Sequence, residues 1–206
     1  MMANLTALRW LLPLLLLSAC SEGTKTETAK PPAKAPEPLT GRQAFQRMYP
    51  QARVWAADAQ PLQVLSVNLA QVKAEPGKAG AWQVIFVSPS RGKSRMFTYS
   101  AVEADGNLHE GVFGAIEESY TGSRGPAFPF QIAAIKVDSD QAYDVAARQS
   151  KEYLKKNPDK PVVFLLEQTN KFANLTWRVI WGNSVGSSDY SVYVDATLGT
   201  FLEKVH

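Results

Sequence analysis

Two stretches far apart in the chain carry the same strand signature, and that duplication constrains the fold more than any other feature. Trp82-Gln83-Val84-Ile85-Phe86 recurs as Trp177-Arg178-Val179-Ile180-Trp181. In both, an aromatic, a valine and a second aromatic occupy alternate positions, so they line one face of a strand. A second matched stretch follows each, with Phe97, Tyr99 and Ala101 corresponding to Tyr190, Val192 and Val194. Each half then reaches a turn, Ala104-Asp105-Gly106-Asn107 or Ala196-Thr197-Leu198-Gly199-Thr200, where Gly106 and Gly199 suit the positive φ of such reversals. A last strand is expected to leave each turn, over Leu108 to Phe113 and over Phe201 to Val205.

The halves also match upstream. Thr40-Gly41-Arg42-Gln43 is a capping-box start for a helix carrying Ala44, Phe45 and Met48, which Pro50 is expected to end or bend. In the second half Asp138 or Ser139 caps a helix with Ala142, Val145, Ala146, Gln149 and Tyr153 along one stripe, and Lys155-Lys156-Asn157-Pro158 stops it. Apolar strands then begin after Pro61, over Leu62 to Leu69, and after Pro161, over Val162 to Leu166. Chance similarity between amphipathic hairpins competes with this reading, but the order of elements and the placement of Trp, Pro and Gly agree together. The expectation is an α+β fold of two helix-plus-antiparallel-sheet repeats, residues 40–118 and 132–206, joined by a Gly/Ser/Pro-rich linker over 119–131.

The amino end has a different character. Arg9 precedes an apolar run from Trp10 to Leu17, followed by the small residues Ser18 and Ala19 and then Cys20, the only cysteine. A spanning helix would need about 20 apolar residues, and this run is shorter and turns polar at Ser21-Glu22-Gly23. It matches the h-region of a secretory signal. Leu17-Ser18-Ala19-Cys20 resembles the bacterial lipobox. That resemblance implies removal of residues 1–19 as a signal peptide, a diacylglyceryl thioether on Cys20 and acylation of the new amino terminus. Several acyl chains on one residue hold lastingly where a single chain holds marginally. Ser21 in place of an aspartate favours the outer membrane, facing the periplasm, over the inner membrane. Residues 20–39, rich in Thr, Lys, Ala, Pro and Glu, cannot bury enough apolar surface to order themselves and are expected to form a semi-rigid tether. Lys25, Lys30 and Lys34 are balanced by Glu22, Glu27 and Glu37, which argues for a plain spacer over a lipid-binding basic patch.

Several chemistries find no support. The net charge of +3 is small and scattered, so no nucleic-acid footprint is expected. With Cys20 acylated no thiol remains for disulfides, nucleophilic catalysis or metal ligation. The histidines are His109, expected on a strand, and His206, the last residue. No enzyme, cofactor or metal site is expected. Asp195 reads as a turn-former whose carboxylate bonds backbone amides. Glu117-Glu118 and Asp138, Asp140 and Asp144 read as a solvated face and helix-start acids rather than a calcium site. Gly122-Ser123-Arg124-Gly125 is only superficially a phosphate cradle, lacking the lysine. Asn174-Leu175-Thr176 is a glycosylation sequon by pattern alone, without meaning in a bacterium.

The run from Tyr190 through Asp195, Thr197 and Gly199 to Leu202 resembles the end of a PepSY domain, a small helix-plus-antiparallel-sheet module of bacterial envelope proteins and metallopeptidase propeptides. Leu198 departs from its Thr-Gly turn, and the first half has Glu103 and Asp105 instead. Cystatin-like folds share the element order. The resemblance implies a binding or inhibitory module. The expected function is therefore a non-catalytic, lipid-anchored envelope lipoprotein that binds a protein or peptide partner, by strand addition at a free sheet edge. Phe128 and Phe130, on either side of Pro129, are the expected partner contacts, with plugging of the junction between the repeats as the alternative. The alternative is a carrier of a lipid or small apolar ligand in a cleft between sheet and helices. Trp55, Trp82, Trp177, Trp181, Tyr99, Tyr190 and Tyr193 could line a cleft between the two repeats, but most of them are expected in the core.

Overall fold

Thr40 opens the first helix as the local sequence requires: its hydroxyl accepts from the Gln43 amide, and the Gln43 side chain returns a bond to the Thr40 amide. In a computed structural model, which describes residues 35–122 and 124–205, the elements follow in the order β1 (Leu39–Thr40), α1 (Gly41–Trp55), β2 (Gln60–Val67), β3 (Lys78–Ala79), β4 (Ala81–Ser88), β5 (Lys93–Ser100), β6 (Gly111–Ser119), β7 (Ala127–Phe128), α2 (Ser139–Gln149), α3 (Lys151–Lys156), β8 (Val162–Thr169), β9 (Thr176–Gly182), β10 (Ser188–Asp195) and β11 (Phe201–Val205). The signal segment, Cys20, most of the tether and His206 lie outside the described residues.

The fold is mixed helix and antiparallel sheet. The strands run β11-β10-β9-β8-β2-β4-β5-β6, every neighbouring pair antiparallel. Each long helical stretch therefore precedes a four-strand meander. The two meanders join where β2 meets β8, with Gln63 opposite Glu167, Val64 opposite Leu166 and Leu65 opposite Leu165. Across this seam the Ser66 hydroxyl accepts from the Phe164 amide at 2.8 Å. The small strand β7 pairs with β8, and β1 with β3.

One face of the sheet holds the main core. The alternating residues Trp82, Val84 and Phe86 of β4 and Trp177, Val179 and Trp181 of β9 meet Ala44, Phe45, Met48 and Ala52 of α1 and Ala142 and Ala146 of α2. Trp82 and Trp177 touch edge to face, with centroids 6.3 Å apart. Aromatic pairs of this kind add roughly 0.5–1.5 kcal/mol beyond area burial. Each indole N–H is satisfied by the carbonyl just ahead of a helix N-cap, Trp82 by Leu39 and Trp177 by Val137, both at 2.9 Å.

The start of α2 also caps the N-terminus of α1. Asp138 is the N-cap of α2 within its own capping box with Gln141, and its Oδ1 accepts from the Arg42 amide of α1 at 2.9 Å. The buried Ser139 hydroxyl accepts from the Gly41 amide at 2.8 Å and donates to the Gly77 carbonyl. Orphan amides of one helix are thus paired by the cap of the other. Gly41 has no room for a side chain, because a Cβ would lie 2.7 Å from Trp177.

Three expectations need correction. Pro50 does not end its helix, which runs on to Trp55. A helical proline loses one hydrogen bond and crowds the preceding turn, but the turn beyond it is held by buried Ala52 and by Trp55 packing on Phe97 at 6.3 Å. The strand expected over Leu108 to Phe113 instead occupies Gly111–Ser119. Gly106 and Asn107, with φ of 81° and 60°, close a turn in which the Ala104 amide bonds the Leu108 carbonyl, so Leu108 to Glu110 are consumed before the strand begins. His109 accordingly lies ahead of the strand rather than on it.

Candidate functional site

The expected partner residues separate. Phe130 is 5% exposed and packs into the main core, its amide bonded to the Pro61 carbonyl. It presents no surface, which corrects its assignment as a contact. Phe128, on β7, is 39% exposed. The segment expected to be a linker thus places one phenylalanine inside and pairs two residues with β8. Of the aromatic set proposed for a cleft, Trp82, Trp177, Trp181, Tyr99 and Tyr190 are buried and Trp55 and Tyr193 partly exposed. The buried members belong to the main core, where most of the set is expected.

The acidic residues have structural partners. Asp195 Oδ1 accepts from the Thr197 and Leu198 amides, both at 2.8 Å, and Oδ2 from Asn174 at 2.8 Å. Burial works to raise its pKa, and these bonds outweigh it, holding the carboxyl below its ordinary value. Asn174, the sequon residue, is thereby committed to the turn. His109 Nδ1 lies 2.7 Å from Glu103, and the ring meets Phe113 edge-on. The Glu110 amide, and after it His109, hold the Glu103 carboxyl below its usual range. Glu118 pairs with Arg124 at 2.5 Å, which occupies the arginine of the Gly122–Gly125 loop. Asp138 is spent on capping, and Asp140 accepts from the Gln141 amide. Among the described residues no group of three or more His, Cys, Asp or Glu is placed to hold a metal ion.

What sequence reasoning missed is the extent of the outer strand β6 beyond Phe113. It is nine residues long and, among the described residues, no strand pairs with its outer side. Ile116 is 84% and Phe113 46% exposed. A bulge between Arg95 and Phe97 of β5 sets Ala115 and Ile116 against Met96, and Arg95 fills it by donating to the carbonyls of Ala115 at 2.7 Å and Gly114 at 3.2 Å. Beside Gly114, on the helix-covered side, lies an open hollow of about 450 Å³ whose walls include Val54, Trp55, Arg95 and Phe97. Val54 is 90% exposed. Trp55 is a fixed wall: its indole N–H donates to Glu117 at 2.6 Å, Arg91 stands 5.2 Å over its ring, and Arg91 bonds both its carbonyl and Glu117. The Trp55 bond is the main cause that holds Glu117 below the ordinary carboxyl range.

The opposite edge differs. β11 is five residues long and carries Glu203, paired with Lys171 at 2.7 Å, and Lys204. Short length and charge are how natural sheets protect an edge. A second hollow, of about 400 Å³, opens between the loop from Asn68 to Gly80 and the stretch from Pro158 to Val162, with Leu69, Val72, Tyr143 and Phe164 in its walls.

Compared with protein-family models, with curated proteins and with solved structures, the chain matches none.

Proposed function

We propose that the chain is a non-catalytic lipoprotein of the bacterial cell envelope, anchored through lipid on Cys20, whose tandem PepSY-like modules bind a protein or peptide partner. The observation that carries this reading is β6, a nine-residue outer strand that holds Phe113 and Ile116 in solvent, whereas the strand at the other edge has five residues. The repeat reading draws support from three correspondences: a capping box on each helix, a four-strand meander after each, and an indole bonded to the carbonyl ahead of each cap. The anchor rests on the Leu17–Cys20 resemblance alone. In metabolic labelling with a radiolabelled fatty acid, the wild-type chain takes up label and fractionates with outer membrane, while Cys20→Ala stays an unlabelled precursor. Label on the variant overturns the anchor.

The second reading, a carrier of a lipid or small apolar ligand, is favoured by the hollow bounded by Leu69, Val72, Tyr143 and Phe164. Native mass spectrometry of the chain purified from envelopes distinguishes it. A carrier retains added ligand mass, and an empty protein removes the reading.

A further inference from the structure

We infer that the hollow between the loop from Asn68 to Gly80 and the stretch from Pro158 to Val162 is a seat for one aromatic side chain of an extended peptide partner. The inference rests on the repeat and partner-binding readings and names the site and the chemistry that fills it. The seam between the halves runs from Gln63 opposite Glu167 to Leu65 opposite Leu165. Beyond Gln63 the linker takes over: Ala127 and Phe128 pair with Thr169 and Gln168 of β8, and the Phe130 amide reaches the Pro61 carbonyl of β2. Phe130 is thereby packed in the main core. Beyond Leu65 the Ser66 hydroxyl takes the Phe164 amide, the Asn68 side chain donates to the Val162 carbonyl at 2.9 Å, and the hollow opens.

The two ends of the seam correspond. Matching Pro61 to Pro161 also matches Leu65 to Leu165, and those two leucines face one another across antiparallel strands, so a local two-fold relates one end to the other. The same match sets Asp58 to Pro61, which lie beside Phe130, against Pro158 to Pro161, which wall the hollow. Among the described residues the chain supplies Phe130 at one end and no linker side chain at the other. The seat is organised in advance. Phe164 is buried beneath it, and the surface open to an occupant belongs to half-buried Leu69, Tyr143, Pro161 and Val162. The loop is fixed because the Ser139 hydroxyl donates to the Gly77 carbonyl and Gly77 lies so close to α2 that a Cβ would stand 2.1 Å from the Asp140 Cα. A lip that need not be ordered on binding saves that cost. The Pro161 carbonyl, counterpart of the one that receives Phe130, is bonded to the Gly182 amide, so the partner contributes a side chain rather than a strand. The tether cannot serve, since residues 20–38 contain no aromatic or large aliphatic side chain.

The test titrates the full-length chain into a fluorescent octapeptide, Gly-Pro-Ala-Phe-Pro-Phe-Gln-Ile, which copies residues 125–132 of the linker, and reads anisotropy. Alanine in place of the second phenylalanine should weaken binding about 10- to 100-fold, the equilibrium equivalent of one large buried apolar side chain. Leu69→Glu in the chain should do the same. Pro158→Glu, an exposed change on the opposite lip, repeats the measurement if circular dichroism shows Leu69→Glu misfolded, and Phe113→Glu on β6 should change nothing. No saturable binding up to millimolar concentration, equal affinity for the alanine peptide, or unchanged affinity in the folded lip variants overturns the inference. So does a lipid that the purified chain retains and the peptide does not displace, or a concentration-dependent dimer that Leu69→Glu dissociates. Crosslinking in intact envelopes separates the two levels. A partner captured equally by wild type and Leu69→Glu sinks the seat and spares the partner reading, while capture by neither sinks both.

Discussion

The capping of α1 by the start of α2 makes Asp138 worth more than an ordinary helix cap. Its Oδ1 accepts from its own helix, at Ser139, and from the Arg42 amide of α1 at 2.9 Å. Replacing a good N-cap residue by alanine costs about 1 kcal/mol. The stranded Arg42 amide, partly buried beneath the second half, adds about 1–3 kcal/mol for an unsatisfied donor. Asp138→Ala should therefore lose about 2–4 kcal/mol in urea unfolding followed by tryptophan fluorescence, with a fall in thermal midpoint of about 5–15 °C for a chain of this size. Two variants isolate the cross-helix part. Asp138→Asn keeps an acceptor and gives up mainly the charge at two helix N-termini, so its loss should stay below about 1–2 kcal/mol. Gln141→Ala removes only the local half of the capping box and should cost less than about 1 kcal/mol. If Asp138→Ala is no more destabilised than Gln141→Ala, the bond to Arg42 carries no weight and α2 does not stabilise the start of α1.

Two further outcomes concern carboxylates. The Asp58 carboxyl accepts from the Ser88 hydroxyl and the Ser90 amide and is pushed down to about 2 from an ordinary 3.8. Because the folded value is depressed, these bonds contribute stability above pH 3.8 that is lost as pH falls through about 2. An NMR titration should place its midpoint near 2, and Ser88→Ala should return it toward 3.8; an unmoved midpoint excludes Ser88 as the main cause. Asp195→Ala removes the acceptor for the Thr197 and Leu198 amides and for Asn174 in a partly buried turn, and should cost about 1–3 kcal/mol in urea unfolding. Its folded pKa is also lowered, so the wild-type advantage over this variant should be full above the ordinary carboxyl range and shrink as pH drops through the folded value. An advantage that grows on acidification contradicts the assignment.

The readable parts were those governed by local rules. The Thr40 and Asp138 caps, the alternation in β4 and β9 and the Asp195 turn each depend on residues within a few positions of one another. The misread parts depend on distant partners. Pro50 stays helical because Trp55, one turn on, has Phe97 to pack against. Phe130 is buried because the chain returns across β2, where Pro61 accepts its amide. The second half of β6, from Ala115 to Ser119, lacks an apolar alternation because it is an outer strand with a bulge held open by Arg95. The seam between β2 and β8 left no local mark beyond two apolar strands.

That seam bears on where a partner can bind. A meander has two edges, and two independent modules would offer four places for strand addition. Pairing β2 with β8 uses one edge from each half, so among the described residues β6 and β11 are the ends of the main strand order. The seam is well satisfied: Val64, Leu165 and Leu166 are buried, Gln63 donates to Glu167 at 3.1 Å, and Ser66 takes the Phe164 amide. Opening it would cost these contacts together, so a partner strand gains more by adding at an end than by inserting at the middle. Between the two ends, β11 is short and charged, whereas β6 is longer, carries Phe113 and Ile116 in solvent and borders a hollow that its own side chains do not fill. The pairing that makes one sheet from two halves thus leaves the outer strand of each half, β6 and β11, as the ends where a further strand could add.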